Sequence, residues 1–323
     1  GPDVGGAYGP YRQSERGAGH REAALALVEA GKAYRCFCPE EEAPDPADPE
    51  AGPRGRPPAG CPGGCRELDQ GETRARVERG DRWIVRFPVP QEPIVVEDEI
   101  RGRVTVHGRD LADFVLLRSD GRATYNFAVV LDDVAMAITH VIRGAGHLSN
   151  TPKQALLFDA LGAPRPRFAH LPMVLGADRR KLSKREGARG VRLLREEGFL
   201  PDAVVNYLSL LGWSPGDDRE ILTREELIRE LSLDRVGASD TVFDEEKLRW
   251  VSGQHLATLS LEALVEAVEP YLDRSRFPLE GESLARAVAA IRSRLQVLGD
   301  VNPALALLFP DAATLDAGLE EAR

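Results

Sequence analysis

Four cysteines occur as two close pairs in the first quarter of the chain. One residue separates Cys36 from Cys38, three separate Cys61 from Cys65, and 22 residues lie between the pairs. Four thiolates can hold a zinc ion tetrahedrally. The intervening segment is rich in Pro, Gly and Glu, so a metal could supply the stabilisation that a core cannot. Two disulfides or four free thiols are the alternatives, and the grouping of all four cysteines favours zinc.

A cationic loop from Asp178 to Arg189 is the second candidate for a chemical function. Only five of the 42 basic residues are lysines, and two of these, Lys181 and Lys184, lie in the pentapeptide 181–185. Lysine presents a compact charge that suits a phosphoryl group whose charge is redistributed in a transition state. The loop is therefore a candidate for contacting nucleotide phosphates, and a solvated basic loop is the alternative.

Two further segments place a polar side chain beside the end of a predicted strand. A turn over residues 119–124 delivers Tyr125 to the start of a helix, and Arg143 ends an apolar run. Ligands of open α/β sheets bind at such strand ends, where an Arg can pair with a carboxylate or phosphate. Tyr125 as a core residue and Arg143 in a structural ion pair are the alternatives. Other histidines lack ligand spacing and are interpreted as structural or surface residues: His20, His107, His140, His170 and His255.

The elements that must position these residues change in type along the chain. Hydrophobic periodicity predicts helices over 14–30, 124–136 and 150–161, the last with Asn150 as its N-cap. Strands are predicted over 83–87, 94–97, 104–107, 114–117 and 138–142. Later in the chain helices dominate, over 201–211, 223–231, 243–251, 259–272 and 282–298. The predicted fold class is α/β followed by all-α.

Length and composition limit the class of protein. The chain has 323 residues and a formal net charge of −10, which allows two or three domains with their own cores. The acidic total argues against a generic nucleic-acid coat protein but is compatible with a local basic groove. No run approaches the roughly 18–20 apolar residues that a membrane helix needs. A membrane-spanning protein is therefore not predicted.

Taken in order, these segments resemble the bacterial-type glutamyl-tRNA synthetases, which are class I aminoacyl-tRNA synthetases. The resemblance extends over nearly the whole chain. It rests on residues 9–16 (GPYRQSER), 33–38 (AYRCFC), 117–133 (LRSDGRATYNFAVVLDD), 141–152 (VIRGAGHLSNTP), 181–185 (KLSKR, similar to the KMSKS signature), 210–214 (LLGWS) and 243–250 (FDEEKLRW).

The resemblance implies ATP-dependent activation of glutamate to glutamyl-adenylate and transfer of the glutamyl group to the 3′ end of tRNA-Glu. Lys181 and Lys184 would be catalytic, and Tyr125 and Arg143 would hold glutamate, with Arg143 pairing with a carboxylate. ATP would be contacted by Lys184, Ser183 and His147. Mg²⁺ would accompany ATP, and a structural Zn²⁺ would be bound by Cys36, Cys38, Cys61 and Cys65. The expected partners are tRNA-Glu, ATP and L-glutamate, and we expect a cytoplasmic monomer without membrane association.

The resemblance also implies a domain order. A partial Rossmann-type catalytic domain would comprise 1–35 and 111–179, and a connective, acceptor-stem-binding insertion with the zinc site would comprise 36–110. A stem-contact domain would cover 180–252, and a helical anticodon-binding domain would begin over 253–323. The family's HIGH-type segment would precede Gly1 and further anticodon-binding sequence would follow Arg323. The chain is therefore expected to be an internal fragment that is inactive by itself.

Two alternative functions remain open from the sequence. A glutamyl-queuosine tRNA-Asp synthetase shares the zinc insertion, but such proteins lack an anticodon-binding domain and usually have a degraded KMSKS. The intact signature over 181–185 and the helical region past Val251 argue against it. A non-catalytic tRNA-binding derivative is favoured by Ala145 and Gly146, which stand where the family usually has an acidic pair.

Overall fold

The computed structural model describes residues 1–38, 61, 63–180, 182 and 190–309. The chain divides into two compact units, Gly1–His170 and Leu171–Arg323. The first unit contains strands and helices, and the second is mainly helical. The predicted order, α/β followed by helices, is therefore confirmed at this level.

The first unit alternates strands with helices. Its helices are α1 (Gly17–Glu29), α2 (Gln70–Glu78), α3 (Tyr125–Ala135) and α4 (Thr151–Leu161). Its strands are β1 (Tyr34–Cys36), β2 (Ile84–Phe87), β3 (Pro93–Asp98), β4 (Gly102–His107), β5 (Phe114–Leu117), β6 (His140–Gly144) and β7 (Arg167–Leu171).

These strands form two sheets. One has the order β1-β2-β5 with antiparallel pairs, and the other has the order β4-β3-β7-β6. Strands β3 and β7 are parallel neighbours, with Asp98 opposite Phe168. Each sheet combines strands from the proposed insertion, 36–110, with strands from the proposed catalytic segments. The two parts of the sequence are thus interleaved in the first unit.

A short turn explains why α3 starts where it does. After β5 the chain reverses at Gly121, whose φ of +83° lies in the left-handed region that glycine tolerates. Asp120 Oδ1 accepts the backbone N–H of Arg122 at 2.9 Å. Thr124 then ties the turn to β5, because its Oγ1 donates to Val115 O at 2.7 Å. Tyr125 becomes the first residue of α3 as a result.

The inner face of α3 carries a carboxylate that organises the N-terminal segment. Asp132 is only 6% exposed. Its Oδ1 lies 2.8 Å from His20 Nε2 on α1, and its Oδ2 accepts a hydrogen bond from Gln13 Nε2 at 2.9 Å. Arg16 donates to the backbone oxygens of Tyr8 and Pro10. The residues 9–16 are thereby fixed against α1 and α3, which accounts for several of the polar residues in that motif.

The second unit is built from capped helices and a two-stranded parallel pair. Thr223 and Glu226 form a capping box, and Asp244 and Ser260 cap the helices that follow them. None of the helices within the described ranges is long and apolar enough to cross a membrane. The strands are β8 (Val174–Leu175) and β9 (Thr241–Val242), and the helices are α5 (Val191–Glu197), α6 (Pro201–Ser209), α7 (Arg224–Glu230), α8 (Glu245–Thr258), α9 (Leu261–Val268), α10 (Gly281–Ile291) and α11 (Val301–Leu308).

Three local predictions were wrong, for identifiable reasons. The strand expected over 138–142 is displaced to His140–Gly144, because Ala137 has a φ of +52° and Ile138 N–H still bonds to Asp133 O. Asn150 is not a side-chain N-cap: a 3₁₀ turn over Ala145–Asn150 leads into α4, so its backbone is already helical. The helix expected over 282–298 ends at Ile291 and continues as short 3₁₀ turns.

The core under α3 gives a test of this packing. Val130 is 0% exposed and Val134, one turn later, is 40% exposed. Val130→Ala should lower the free energy of unfolding by about 2 kcal/mol, because it removes buried methyl groups and leaves a cavity. Val134→Ala is the matched control and should change it by less than about 0.5 kcal/mol. Urea unfolding followed by circular dichroism measures both, and equal effects would contradict the burial of Val130.

Candidate functional site

Arg143 lies on β6 with its guanidinium held from two sides. Its Nε donates to His170 Nε2 at 3.1 Å. Its Nη2 donates to Thr151 Oγ1 at 2.8 Å and to Gln154 Oε1 at 2.7 Å, both on α4. An arginine has five N–H donors, and these three bonds use three of them, which leaves the two on Nη1 for the neighbouring Tyr125 hydroxyl and for a ligand. The side chain is positioned by neutral acceptors rather than by a structural ion pair.

Tyr125 stands next to Arg143 and opens toward solvent. The Tyr125 side chain is 45% exposed, and its hydroxyl is a hydrogen-bond partner of Arg143. The ring of His147 lies 5.9 Å from that of Tyr125, centroid to centroid. The interpretation of Tyr125 as a core residue is therefore wrong. The structure brings together three of the predicted site residues, Tyr125, Arg143 and His147.

The charges around this group favour an anionic ligand. Burial lowers the pKa of Arg143, yet arginine remains protonated at any physiological pH. Asp133 on α3 is the nearby acid: burial raises its pKa to about 6, and the charge of Arg143 opposes that rise. Ala145 and Gly146, in the turn between Arg143 and His147, contribute no carboxylate. Arg143 can therefore pair its remaining N–H groups with the carboxylate of a ligand.

A buried acid–base pair supports Arg143 and was missed by sequence reasoning. Asp98 and His170 have side chains that are 0% exposed, and Asp98 Oδ2 lies 2.5 Å from His170 Nδ1. His170 Nε2 also lies 3.0 Å from Thr151 Oγ1. Our interpretation of His170 as structural or surface did not include this contact with Arg143. Asp98 directly follows the strand predicted over 94–97, but nothing in its spacing links it to His170, 72 residues later.

The four cysteines meet at one point in the first unit. Their sulfur atoms all lie within 4.8 Å of one another. The Cys61 Sγ lies 3.4 Å from that of Cys36 and 3.5 Å from that of Cys38, and Cys38 Sγ lies 3.6 Å from Cys65 Sγ. A tetrahedron with Zn–S bonds of about 2.3 Å has edges of about 3.8 Å. All four side chains are thiols rather than disulfides, and their spacing fits a zinc ion.

The surroundings of the sulfurs also fit a metal. Burial raises the pKa of the Cys36 thiol to about 12, and the Arg86 guanidinium opposes this as a hydrogen-bond partner of Cys36. Burial would also raise the pKa of Cys61, but backbone N–H donors from Cys65 and Gly63 help hold it at about 7. A Cβ on Gly63 would lie 2.7 Å from Cys38 Sγ. The loop thus places its backbone against the sulfurs, as a ligand loop must.

The predicted phosphate-binding residues, Lys181, Ser183 and Lys184, lie outside the described residues. The structure describes the segment that leads into them. Gly176 N–H bonds to Arg180 O at 2.8 Å, and Leu182 N–H bonds to Val174 O on β8 at 3.2 Å. The roles of the three residues stay predictions from the sequence.

Known proteins resemble this chain over most of its length. The family described as tRNA synthetases class I (E and Q), catalytic domain, matches residues 2–250. A glutamate–tRNA ligase from Sulfurihydrogenibium sp. is 43% identical over 312 residues, which cover 96% of this chain and 65% of that protein. One from Heliobacterium modesticaldum is 45% identical, with 97% of this chain and 64% of that protein covered. The chain spans just under two thirds of the length of these relatives.

A solved structure shows the same fold. It is the crystal structure of a glutamate tRNA ligase from Elizabethkingia meningosepticum in complex with its amino acid. Its TM-score to this chain is 0.81 at 31% identity, and the match covers 94% of this chain and 65% of that one. The resemblance noted from the motifs is thereby confirmed: this chain belongs to the class I tRNA synthetases of the glutamate and glutamine type.

Proposed function

We propose that the protein containing this chain is a glutamate–tRNA ligase. It would activate glutamate with ATP to glutamyl-adenylate and transfer the glutamyl group to the 3′ end of tRNA-Glu. The observation that carries the proposal is the Arg143 guanidinium, held on Nε and Nη2 beside the exposed Tyr125. The family membership and the names of the relatives support the same activity.

The proposed binding of glutamate follows from the donors that Arg143 keeps. A carboxylate can accept an N–H group of Nη1, and the Tyr125 hydroxyl, which lies beside Arg143, can donate to the same ligand. The side-chain amide of glutamine would bring its own N–H₂ group toward these donors, which leaves a buried polar group without an acceptor. The site is therefore better suited to an acid than to an amide.

The ATP side of the proposal rests on the sequence motifs. Lys181 and Lys184 would stabilise the charge that moves onto the phosphates during adenylation, with Mg²⁺ bound to the nucleotide. Ser183 and His147 would contribute contacts to ATP. The proximity of His147 to Tyr125, with ring centroids 5.9 Å apart, supports a position beside bound glutamate, where the α-phosphate must react.

The domain order implied by the resemblance is proposed in the same way. Residues 1–35 and 111–179 would form the catalytic domain, 36–110 the acceptor-stem-binding insertion and 180–252 the stem-contact domain. The helices from 253 onward would begin the anticodon-binding domain. Support comes from the helical content of the second unit and from the similarity to the family's catalytic domain, which ends at residue 250.

Zinc is proposed as a structural ion held by Cys36, Cys38, Cys61 and Cys65. The ion would neutralise the charge of the thiolates. Through its bonds to sulfur it would also connect β1 to the 3₁₀ turn at Cys65–Glu67. The N–H groups of residues 63 and 65 orient Cys61, and Arg86 offsets the negative charge at Cys36.

Zinc content tests this centre. The purified protein should contain about one zinc per chain, and Cys61→Ser should lower this below about half. Gly63→Ala should weaken retention during dialysis against a chelator, because its Cβ would crowd Cys38 Sγ at 2.7 Å. Gly19→Ala is the matched control, since a Cβ there meets nothing within 4 Å. Elemental analysis measures the zinc content of the wild-type protein and of the three variants, and a metal-free wild-type protein would refute the zinc site.

Aminoacylation by the complete gene product tests the function itself. With ATP, Mg²⁺ and labelled glutamate, it should charge tRNA-Glu and not tRNA-Asp. Charging of tRNA-Asp would instead identify a glutamyl-queuosine tRNA-Asp synthetase. Tight tRNA binding without any charging would identify a non-catalytic derivative, and either result would overturn the proposal.

The role of Arg143 has its own test in the same protein. Arg143→Lys should raise the KM for glutamate at least about tenfold in ATP–pyrophosphate exchange, because lysine loses the planar fork of donors. The KM for ATP should change little. Arg103→Lys is the control, since that side chain is 69% exposed and pairs with Glu97 at 3.7 Å. An unchanged KM for glutamate in Arg143→Lys would remove Arg143 from the binding site.

A further inference from the structure

The buried pair of Asp98 and His170 connects two strands to Arg143. Asp98 is the last residue of β3, and His170 lies on β7, its parallel neighbour. Both side chains are completely buried. Burying an acid and an imidazole without solvent is costly, and well-packed apolar residues could fill the same volume at no such cost. Support of the turn that follows β3 accounts for Asp98, but it gives no reason for a buried imidazole at His170.

Asp98 is an ionised carboxylate with its oxygens fully engaged. Oδ1 accepts the backbone N–H groups of Ile100 at 3.1 Å, Arg101 at 2.8 Å and His170 at 3.2 Å. Burial by itself would raise the pKa of Asp98, but these bonds and the one from His170 hold it below its usual range. Oδ2 is left as the acceptor for the His170 ring. The proton between them therefore sits on His170 Nδ1.

The position of that proton decides what His170 offers to Arg143. Burial lowers the pKa of His170 and the nearby charge of Arg143 acts in the same direction, so both favour the neutral ring. With the proton on Nδ1, Nε2 carries a lone pair, which accepts the Arg143 Nε–H at 3.1 Å. The other tautomer, or an imidazolium, would direct an N–H at the guanidinium and break this bond. The tautomer selected by Asp98 is thus the one that can hold Arg143.

The bond from His170 completes the fixation of the guanidinium plane. Thr151 and Gln154 hold Nη2, and Gln154 is itself oriented by Asn126 Oδ1 at 3.0 Å. With Nε also held, rotation of the plane is prevented and Nη1 is presented in one direction. A donor that is already fixed loses little conformational entropy when it binds a carboxylate.

We propose that Asp98 and His170 are positioning residues for glutamate recognition, with Asp98 selecting the His170 tautomer that orients Arg143 toward the carboxylate of the substrate. The inference rests on the proposed function, because it requires Arg143 to bind glutamate. It adds two residues from β3 and β7 that touch no substrate and act through Arg143. Their loss impairs the affinity for glutamate and leaves ATP binding unchanged.

Substitution of Asp98 separates this role from support of the fold. Asp98→Asn keeps Oδ1 for the backbone N–H groups but replaces Oδ2 with an N–H₂ donor, which forces the proton on His170 to Nε2. In ATP–pyrophosphate exchange by the complete gene product, the KM for glutamate should rise about tenfold with an unchanged KM for ATP. Asp159→Asn on α4 removes the same charge from a side chain that is 51% exposed, and should have no effect.

A pair of substitutions at His170 provides the decisive comparison. His170→Gln can place its Oε1 where Nε2 lies and still accept from Arg143, whereas His170→Asn keeps only a donor for Asp98. The KM for glutamate should therefore stay within about threefold for Gln and rise about tenfold for Asn. If the pair only supported the fold, Asn would be the better replacement, and that order would overturn the inference. Thermal melting monitors the fold in each case.

The outcomes distinguish the two proposals. An increased KM for glutamate in Arg143→Lys together with wild-type values in Asp98→Asn and His170→Asn would refute the positioning role and leave the proposed function intact. Wild-type values in Arg143→Lys would remove Arg143 from the binding site and refute the positioning role, whereas a gene product that does not charge tRNA-Glu would refute the proposed function and the positioning role together.

Discussion

The guanidinium of Arg143 can recognise a carboxylate only if its plane is fixed before the ligand arrives. In this chain the fixation is made by neutral acceptors: His170 on Nε, and Thr151 and Gln154 on Nη2. A carboxylate in any of these places would neutralise the guanidinium and compete with the carboxylate of the proposed glutamate ligand. Neutral acceptors hold the side chain while preserving its charge for the ligand.

This requirement explains the arrangement of elements in the first unit. Strand β6 carries Arg143, the parallel pair β3 and β7 brings Asp98 and His170 behind it, and α4 delivers Thr151 and Gln154 from the side. Helix α3 begins at Tyr125 because a turn after β5 is fixed by Asp120, Gly121 and Thr124. Asp132 then joins α3 to α1 through His20. Each support reaches the site through secondary structure rather than through a loop, which favours precise positioning.

The sequence predicted the parts of this site that are local and missed the parts that depend on pairing. Tyr125 and Arg143 sit in motifs of consecutive residues, and the cysteines are grouped closely enough for their spacing to suggest a common ligand. Asp98 and His170 are 72 residues apart, and their meeting depends on β3 and β7 being parallel neighbours, which periodicity does not specify. The displaced strand at 140–144 has a different cause: Ala137 adopts a left-handed conformation that is usually left to glycine.

In the proposed site, the same carboxylate that folds a turn also selects the tautomer of His170 that orients Arg143. Asp98 Oδ1 binds the N–H groups of Ile100 and Arg101, which closes the turn between β3 and β4, while Oδ2 fixes the proton on His170. Removing the whole side chain would therefore disturb the turn and the tautomer together, and a loss of activity could not be assigned to either. Only a substitution that replaces Oδ2 and keeps Oδ1, such as Asp98→Asn, changes the tautomer of His170 without disturbing the turn. The turn depends on Oδ1 of Asp98 and the proposed recognition of glutamate depends on Oδ2. One residue therefore serves both, and a change at a single atom can separate them.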